Sequence, residues 1–121
     1  MFYGWDYPER QAFNNGGSPS ISGWDTSNVT TMRQMFQQCT LFDQSLSGWD
    51  VSSVTNAIKF MHGCTLSTAN YDSTLGGWSS QSVQNGVNIH FGNSTYSAGA
   101  AATARQSLVN QGWTITDGGQ A

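Results

Sequence analysis

The sequence has few charged residues. Only 9% of its 121 residues are Asp, Glu, Lys or Arg, whereas an ordinary globular domain has about 25%. The four basic residues are scattered along the chain, and the seven acidic residues bring the net charge to -3. Because phosphate binding needs clustered Lys and Arg, this composition argues against nucleic acid as a partner.

Long apolar runs are also missing. No segment approaches the roughly 20 apolar residues that a membrane-spanning helix needs, and the first residues lack the charged-then-apolar pattern of a signal peptide. We therefore expect no membrane insertion. The low charge and the abundance of Ser, Thr, Asn and Gln suit a protein that is extracellular or lies at a cell or virion surface. The length fits one domain.

One stretch of the sequence repeats. Residues 22–41, SGWDTSNVTTMRQMFQQCTL, return at residues 47–66 as SGWDVSSVTNAIKFMHGCTL, with ten of the twenty positions identical. A weaker third copy, LGGWSSQSV, occupies residues 75–83. A repeat of this period predicts a solenoid, in which successive units stack on one another. The repeat phase predicts a structural ladder of Trp24, Trp49 and Trp78, of Val29, Val54 and Val83, and of Asp25 and Asp50.

Each unit is predicted to contain a short strand and a short helix. Val29, Met32, Met35 or Phe36, and Cys39 are spaced by three or four residues, like one face of a helix. Further along, VNIHF at residues 87–91 alternates like a strand. Residues 96–112 predict a helix with a serine start and a glycine stop, and residues 113–116 a second strand. This β-α-β unit would cover the open end of the stack.

The predicted fold is an α/β repeat. It is a short, right-handed, leucine-rich-repeat-type solenoid of about three rungs of about 25 residues with a C-terminal β-α-β cap. The solenoid is expected at residues 1–86, with units near 1–20, 21–45, 46–74 and 75–86, and the cap at residues 87–121. Because the first unit looks incomplete, we expect a second copy or a larger chain to cover the N-terminal rung.

The repeats GWDTSNVTTMRQMF and GWDVSSVTNAIKFM, with FDQ at residues 42–44, resemble those of the BspA-like leucine-rich surface proteins, DUF285 branch. That branch has units of the form FNQ, then W-D-V-S-N-V-T, then M-x-x-M-F. The resemblance covers residues 1–86, although the third unit lacks the Met-Phe block. It implies a non-enzymatic recognition or adhesion module of a bacterial or virion-surface protein, without catalytic residues.

Two other functions stay open. A structural assembly subunit, such as a virion fibre or decoration component, would use its uncharged faces for self-assembly. A glycan-binding or glycan-hydrolysing protein is the second alternative. A hydrolase needs a carboxylate pair or a His beside a nucleophile, but Asp6 and Glu9 share one loop, and His62 and His90 lie in no nucleophile motif. The expected partner is a protein or a surface glycan, and no cofactor is expected.

Aromatic residues in the insertions are the predicted binding residues. Tyr3, Trp5 and Tyr7 lie in the first insertion, and Tyr71 lies in the insertion STANYDST of the third unit. Exposed aromatic rings flanked by Asp, Asn and Gln can stack on sugars or anchor a protein partner. Alternatively, they fold back onto the edge of the solenoid as a partial N-terminal cap.

Asp25 and Asp50 recur at one phase of the repeat, and Cys39 and Cys64 recur at another. The two carboxylates could share a calcium ion between rungs, or each could accept N–H bonds within its own turn; we expect the turn and no metal. The two cysteines would lie in neighbouring rungs. They form either a disulfide, if their Cα atoms are within about 7 Å, or a ladder of buried thiols.

Overall fold

Two copies of the repeat lie side by side. The computed structural model describes Ile21 and residues 24–121. Every second residue from 32 to 38 donates its backbone N–H to a carbonyl group of the next repeat: Met32 to Asn56 at 2.8 Å, Gln34 to Ile58 at 2.9 Å, Phe36 to Phe60 at 2.8 Å and Gln38 to His62 at 2.9 Å. Evenly spaced hydrogen bonds from alternate residues are characteristic of neighbouring parallel segments.

The helix predicted from Val29 to Cys39 does not form. Its alternate N–H groups bond the next copy and are therefore not available for bonds within a helix. The chain turns instead, with N–H bonds from Met35 to Met32 at 3.2 Å and from Cys39 to Phe36 at 3.0 Å. The apolar spacing of three or four residues thus arises from one inward residue at each corner of the chain.

Helix α1, Thr68–Ser79, lies where the sequence predicts a surface insertion. Ser67 caps it by accepting the N–H of Asn70 at 3.3 Å. Gly77 lets the helix approach the preceding unit, because a Cβ at this position would collide with the carbonyl oxygen of Ser47. One face of the helix is buried at the i, i+3, i+4, i+7 spacing of an amphipathic helix, and it consists of Tyr71, Thr74, Leu75 and Trp78.

The chain ends in the predicted β-α-β arrangement. Strand β1 (Asn88–His90) is followed by helix α2 (Ala100–Asn110) and strand β2 (Thr114–Thr116). The strands form a two-stranded parallel sheet in which Ile89 pairs with Ile115. Helix α2 begins after Gly99 without a side-chain cap, so the predicted serine start is wrong, whereas a glycine at φ 104° follows the helix end as predicted. Helix α2 packs against α1.

The described residues form a small α/β domain around a large aromatic core. The rings of Phe36 and Phe60 are 5.4 Å apart, and those of Phe60 and Phe91 are 5.9 Å apart. Three buried indole N–H groups donate to carbonyl groups of earlier segments: Trp49 to Ile21, Trp78 to Leu46 and Trp113 to Gln84. Aromatic side chains therefore link successive segments.

Neither described helix has the length and apolar character needed to span a bilayer.

The ladder residues differ in burial. Trp49, Trp78 and Val54 are fully buried, and Val29 and Val83 are partly buried against the core. The ring of Trp24 is stacked on that of Trp49 at 6.3 Å, yet Trp24 is 36% exposed.

Four buried polar side chains bridge neighbouring segments, namely Thr26, Gln44, Thr74 and Ser94. Thr26 bonds the backbone N–H and carbonyl of Asp50. The other three each accept a backbone N–H from an earlier segment: Gln44 from Ile21 at 2.9 Å, Thr74 from Leu46 at 3.0 Å and Ser94 from Leu66 at 2.9 Å. We call these four residues the polar bridges. In the described part of the chain, no buried side-chain nitrogen or oxygen lacks a partner.

Replacing a polar bridge by an isosteric apolar residue tests its importance. Thr74→Val leaves the buried N–H of Leu46 without its acceptor, so we expect a loss of about 1–3 kcal/mol in the free energy of unfolding. Urea titration followed by circular dichroism measures it. The matched control, Thr103→Val on the exposed side of α2, should change stability by less than about 0.5 kcal/mol. Equal losses in both variants would contradict the role of the bridge.

Candidate functional site

Asp25 and Asp50 each accept bonds within their own turn. The Oδ1 atom of Asp25 accepts the N–H of Ser27 at 3.1 Å and its hydroxyl at 2.7 Å. Asp50 binds Ser52 in the same way, at 2.9 and 2.5 Å. These bonds lower the pKa of both carboxyl groups. The arrangement is the turn-forming alternative of the two predicted. Among the described residues, no group of three or more His, Cys, Asp or Glu side chains could hold a metal ion.

The two cysteines are buried thiols without a disulfide between them. The Sγ atom of Cys64 lies 3.0 Å from the carbonyl oxygen of Cys39, so the thiol of one repeat contacts the backbone of the other. Burial raises the pKa of the Cys64 thiol to about 12, and the nearby Cys39 is the second cause of this increase. A neutral, buried thiol is a poor nucleophile.

Tyr71 is buried in the core, so the prediction of an exposed binding residue is wrong at this position. It lies on the inward face of α1, where its ring contacts that of Phe91 at 4.8 Å. Its hydroxyl donates to Oδ2 of Asp117 at 2.5 Å. Burial and this carboxylate raise the pKa of Tyr71 well above its usual value. The other three predicted binding residues, Tyr3, Trp5 and Tyr7, lie outside the described residues.

Asp117 holds the end of the chain in place. Besides Tyr71, it binds Arg105 of α2, whose Nε lies 2.8 Å from Oδ2. The same guanidinium donates to the carbonyl of Ile115 at 3.2 Å and lies 5.1 Å from the ring centroid of Tyr96. With 3% of its side chain exposed, Asp117 is a buried and fully paired acid.

Four paired segments present one continuous surface. Thr31 pairs with Asn56, Ala57 with Ile89, and Ile89 with Ile115. The column of Met32, Ala57, Ile89 and Ile115 is buried or half-buried, and the residues on both sides of it are exposed or half-buried, as the alternation of extended chain requires. We call these flanking residues the ladder face: Thr31, Arg33, Asn56, Ile58, Asn88, His90, Thr114 and Thr116.

The two histidines meet at this face, although they are distant in the sequence. Their rings are edge to face, with centroids 5.1 Å apart. Nδ1 of His90 accepts the N–H of Gly92 at 2.9 Å, so the proton of the neutral ring is on Nε2. Burial and the neighbouring His62 lower the pKa of His90, which favours the neutral ring with its one N–H on Nε2.

A groove of about 290 Å³ opens on the ladder face. Its lining comes from three segments, with Ile58 and Lys59 from the first, residues 88–90 from the second, and Thr114 and Thr116 from the third. Sequence reasoning missed this site, because its residues come from three separated segments. One signal was present in the sequence: the third unit lacks the Met-Phe block, so its pairing with the second unit cannot follow the pattern of the first two.

Comparison with known families gives one match. The family described as "Mycoplasma protein of unknown function, DUF285" matches residues 8–103. The match spans 96 of the 121 residues and includes the repeats, helix α1, strand β1 and the start of α2. Neither the curated proteins nor the solved structures include a significant match to the chain.

The turn formed by Asp50 predicts a specific dependence of stability on pH. Because folding lowers the pKa of Asp50 below 3.8, its contribution is present above that pH and is lost as the pH falls through the folded-state pKa. Asp50→Asn, which keeps the acceptor oxygen, should be nearly as stable as the wild type at neutral pH and less sensitive to acid. Asp50→Ala should be less stable at both.

Urea titrations of the three proteins at neutral and acidic pH check this order. The calcium alternative makes a different prediction, because millimolar calcium would then raise the melting temperature. We expect no calcium-dependent shift. A shift that Asp50→Asn abolishes would contradict the turn interpretation.

The buried thiols predict slow chemical modification. Iodoacetamide should leave Cys39 and Cys64 unmodified in the folded protein, because both are buried and the pKa of Cys64 is raised. In urea without any reductant, both should be alkylated, which mass spectrometry shows as two added carbamidomethyl groups. Rapid modification of the folded protein, or a need for reductant in urea, would contradict the thiol ladder.

Proposed function

The chain belongs to the DUF285 family, and from that premise we propose that it is a non-enzymatic recognition or adhesion module. Its place would be extracellular, on the surface of a bacterial cell or a virion, and its partner a protein or a surface glycan. The observation that carries the proposal is the ladder face, a continuous surface of polar and apolar side chains with a groove. A chain with 9% charged residues presents such a surface without strong long-range attraction to unrelated partners.

The finer description of the fold is part of this proposal. In it, the repeats are rungs of a leucine-rich-repeat-type solenoid of about three rungs, and residues 87–121 form its cap. Two observations support it. The backbone bonds between the first two repeats keep a constant offset along the sequence, from Met32 and Asn56 to Gln38 and His62. The indole bonds of Trp49 and Trp78 reach equivalent carbonyl groups, three residues before the tryptophan of the preceding repeat.

The ladder face suits recognition because several of its side chains are exposed to solvent. Ile58 is 45% exposed, and Asn88, Thr114 and Thr116 are exposed. Many of the bonds between neighbouring segments come from the backbone, the polar bridges and the buried indoles. Side chains on the outer face can therefore differ between proteins of one fold, while the stack that presents them stays the same.

Binding to two panels tests the proposal. The intact chain is measured by surface plasmon resonance against purified extracellular-matrix proteins and on a glycan array. We expect at least one ligand whose affinity falls about tenfold or more in Thr114→Arg, because a long charged side chain then stands in the lining of the groove. Thr103→Arg, which adds the same charge on the exposed side of α2, should bind like the wild type.

Three outcomes would contradict the proposal. They are the absence of any ligand on both panels, a ligand whose binding Thr114→Arg leaves unchanged, and cleavage of an arrayed glycan. Circular dichroism and melting curves show whether both variants are folded. Sedimentation velocity of the free chain tests the structural assembly alternative, which requires self-association that increases with protein concentration.

A further inference from the structure

The groove on the ladder face exists because two neighbouring segments differ in length. On the side of β1, Ala57 pairs with Ile89, and the N–H of Met61 donates to the carbonyl of His90 at 2.7 Å. The second unit thus takes four residue steps where the β1 segment takes one. The surplus residues include Ile58 and Lys59, which line the groove.

Strands β1 and β2 supply the rest of the lining. Asn88 pairs with Thr114, and His90 pairs with Thr116, so alternate positions of two parallel strands face the groove. The side chains offer two hydroxyl groups, one amide and the imidazole Nε2–H, and the lining also contains the aliphatic side chains of Ile58 and Ile89. The groove therefore combines apolar side chains with polar groups that can donate hydrogen bonds.

The charge of the groove is opposite to that of the chain. The chain has seven acidic and four basic residues, yet the groove lining contains the ammonium group of Lys59 and no carboxylate. The nearest acid along the chain, Asp117, is 3% exposed and bound by Arg105 and Tyr71. No acid among the lining residues competes for Lys59, so the groove is complementary to a negatively charged group.

We propose that this groove binds a glutamate side chain of an extended acidic peptide segment in a partner protein. The methylene groups of the glutamate lie against Ile58, its carboxylate pairs with Lys59, and Nε2–H of His90 and the threonine hydroxyls donate to it. The lining contains no Trp, Tyr or Phe ring on which a sugar could stack, which favours a peptide over a glycan. The inference rests on the proposed recognition function and names the chemistry of its ligand.

Fluorescence anisotropy with labelled decapeptides tests the proposal. One probe is rich in Glu, the second carries Gln at the same positions, and the third carries Lys. At low ionic strength, where exposed ion pairs are least screened, the Glu peptide should bind, and the Gln peptide should bind roughly fivefold more weakly or not at all. Equal binding of the Glu and Gln peptides would overturn the proposal.

Variants of Lys59 identify the site. Lys59 has φ 58°, which Asn tolerates well, so Lys59→Asn should fold normally and weaken binding of the Glu peptide roughly fivefold. Lys59→Glu should lose the Glu peptide and bind the Lys peptide. Gln106→Glu changes the net charge as Lys59→Asn does, but on α2, outside the groove, and should bind like the wild type. A similar loss in Gln106→Glu would show that net charge, and not the groove, is responsible.

An acidic oligosaccharide, oligogalacturonate, is the competing probe. If it binds more tightly than the Glu peptide and depends equally on Lys59, the occupant is a glycan and the peptide proposal is wrong. The panels described above separate the two proposals. If panel ligands depend on Thr114 while the Glu peptide does not bind, recognition stands and the glutamate assignment fails.

Discussion

The structure depends on hydrogen bonds between each segment of the chain and the equivalent segment of the next repeat. The turns of each repeat satisfy some of its backbone N–H groups internally, as from Met35 to Met32, but others, such as that of Gln34, bond only the next repeat. A buried N–H without a partner costs about 1–3 kcal/mol. A later unit supplies the missing acceptors, either from its backbone, as Ile58 does for Gln34, or from a polar bridge, as Ser94 does for Leu66. A single unit would therefore be incomplete, and the repeat is the means by which each unit receives its acceptors.

The same constraint explains the C-terminal unit. A stack that ended on an open strand would leave a row of unpaired backbone groups, which is a site for uncontrolled association. Arg105 of α2 donates to the carbonyl of Ile115 in the last strand, and its ion pair with Asp117 fixes it there. Because Asp117 also binds Tyr71 of α1, one buried carboxylate ties the last strand to both helices. Helix α2 thus connects β1 to β2, and its Arg105 occupies one backbone acceptor of the last strand.

The sequence predicted the elements that leave a pattern in consecutive residues of the chain. The alternation of VNIHF located β1, and the alanine-rich segment before Gly112 located α2. Helix α1 was missed because the third GWD-like copy suggested a rung with an inserted loop, although Tyr71, Leu75 and Trp78 already had the spacing of a helix face. The turns around Met35 were mistaken for a helix, because a corner every three or four residues and a helical face give the same apolar pattern. Only the bonding partners of the N–H groups distinguish the two, and those partners lie in the next repeat.

The groove could not be predicted from local patterns, because it arises from a difference between two units. Residues at repeated positions are used in bonds between segments. The indole N–H of Trp49 donates to the carbonyl of Ile21, and the hydroxyl oxygen of Thr26 accepts the N–H of Asp50. Lys59 shares its backbone conformation with Gln34, one repeat earlier, but below Lys59 the neighbouring segment is too short to cover it. Its side chain is left exposed next to the strands of the terminal unit. Shortening one of two neighbouring segments can therefore open a groove, since the paired segments still support one another while the surplus residues of the longer segment stay exposed.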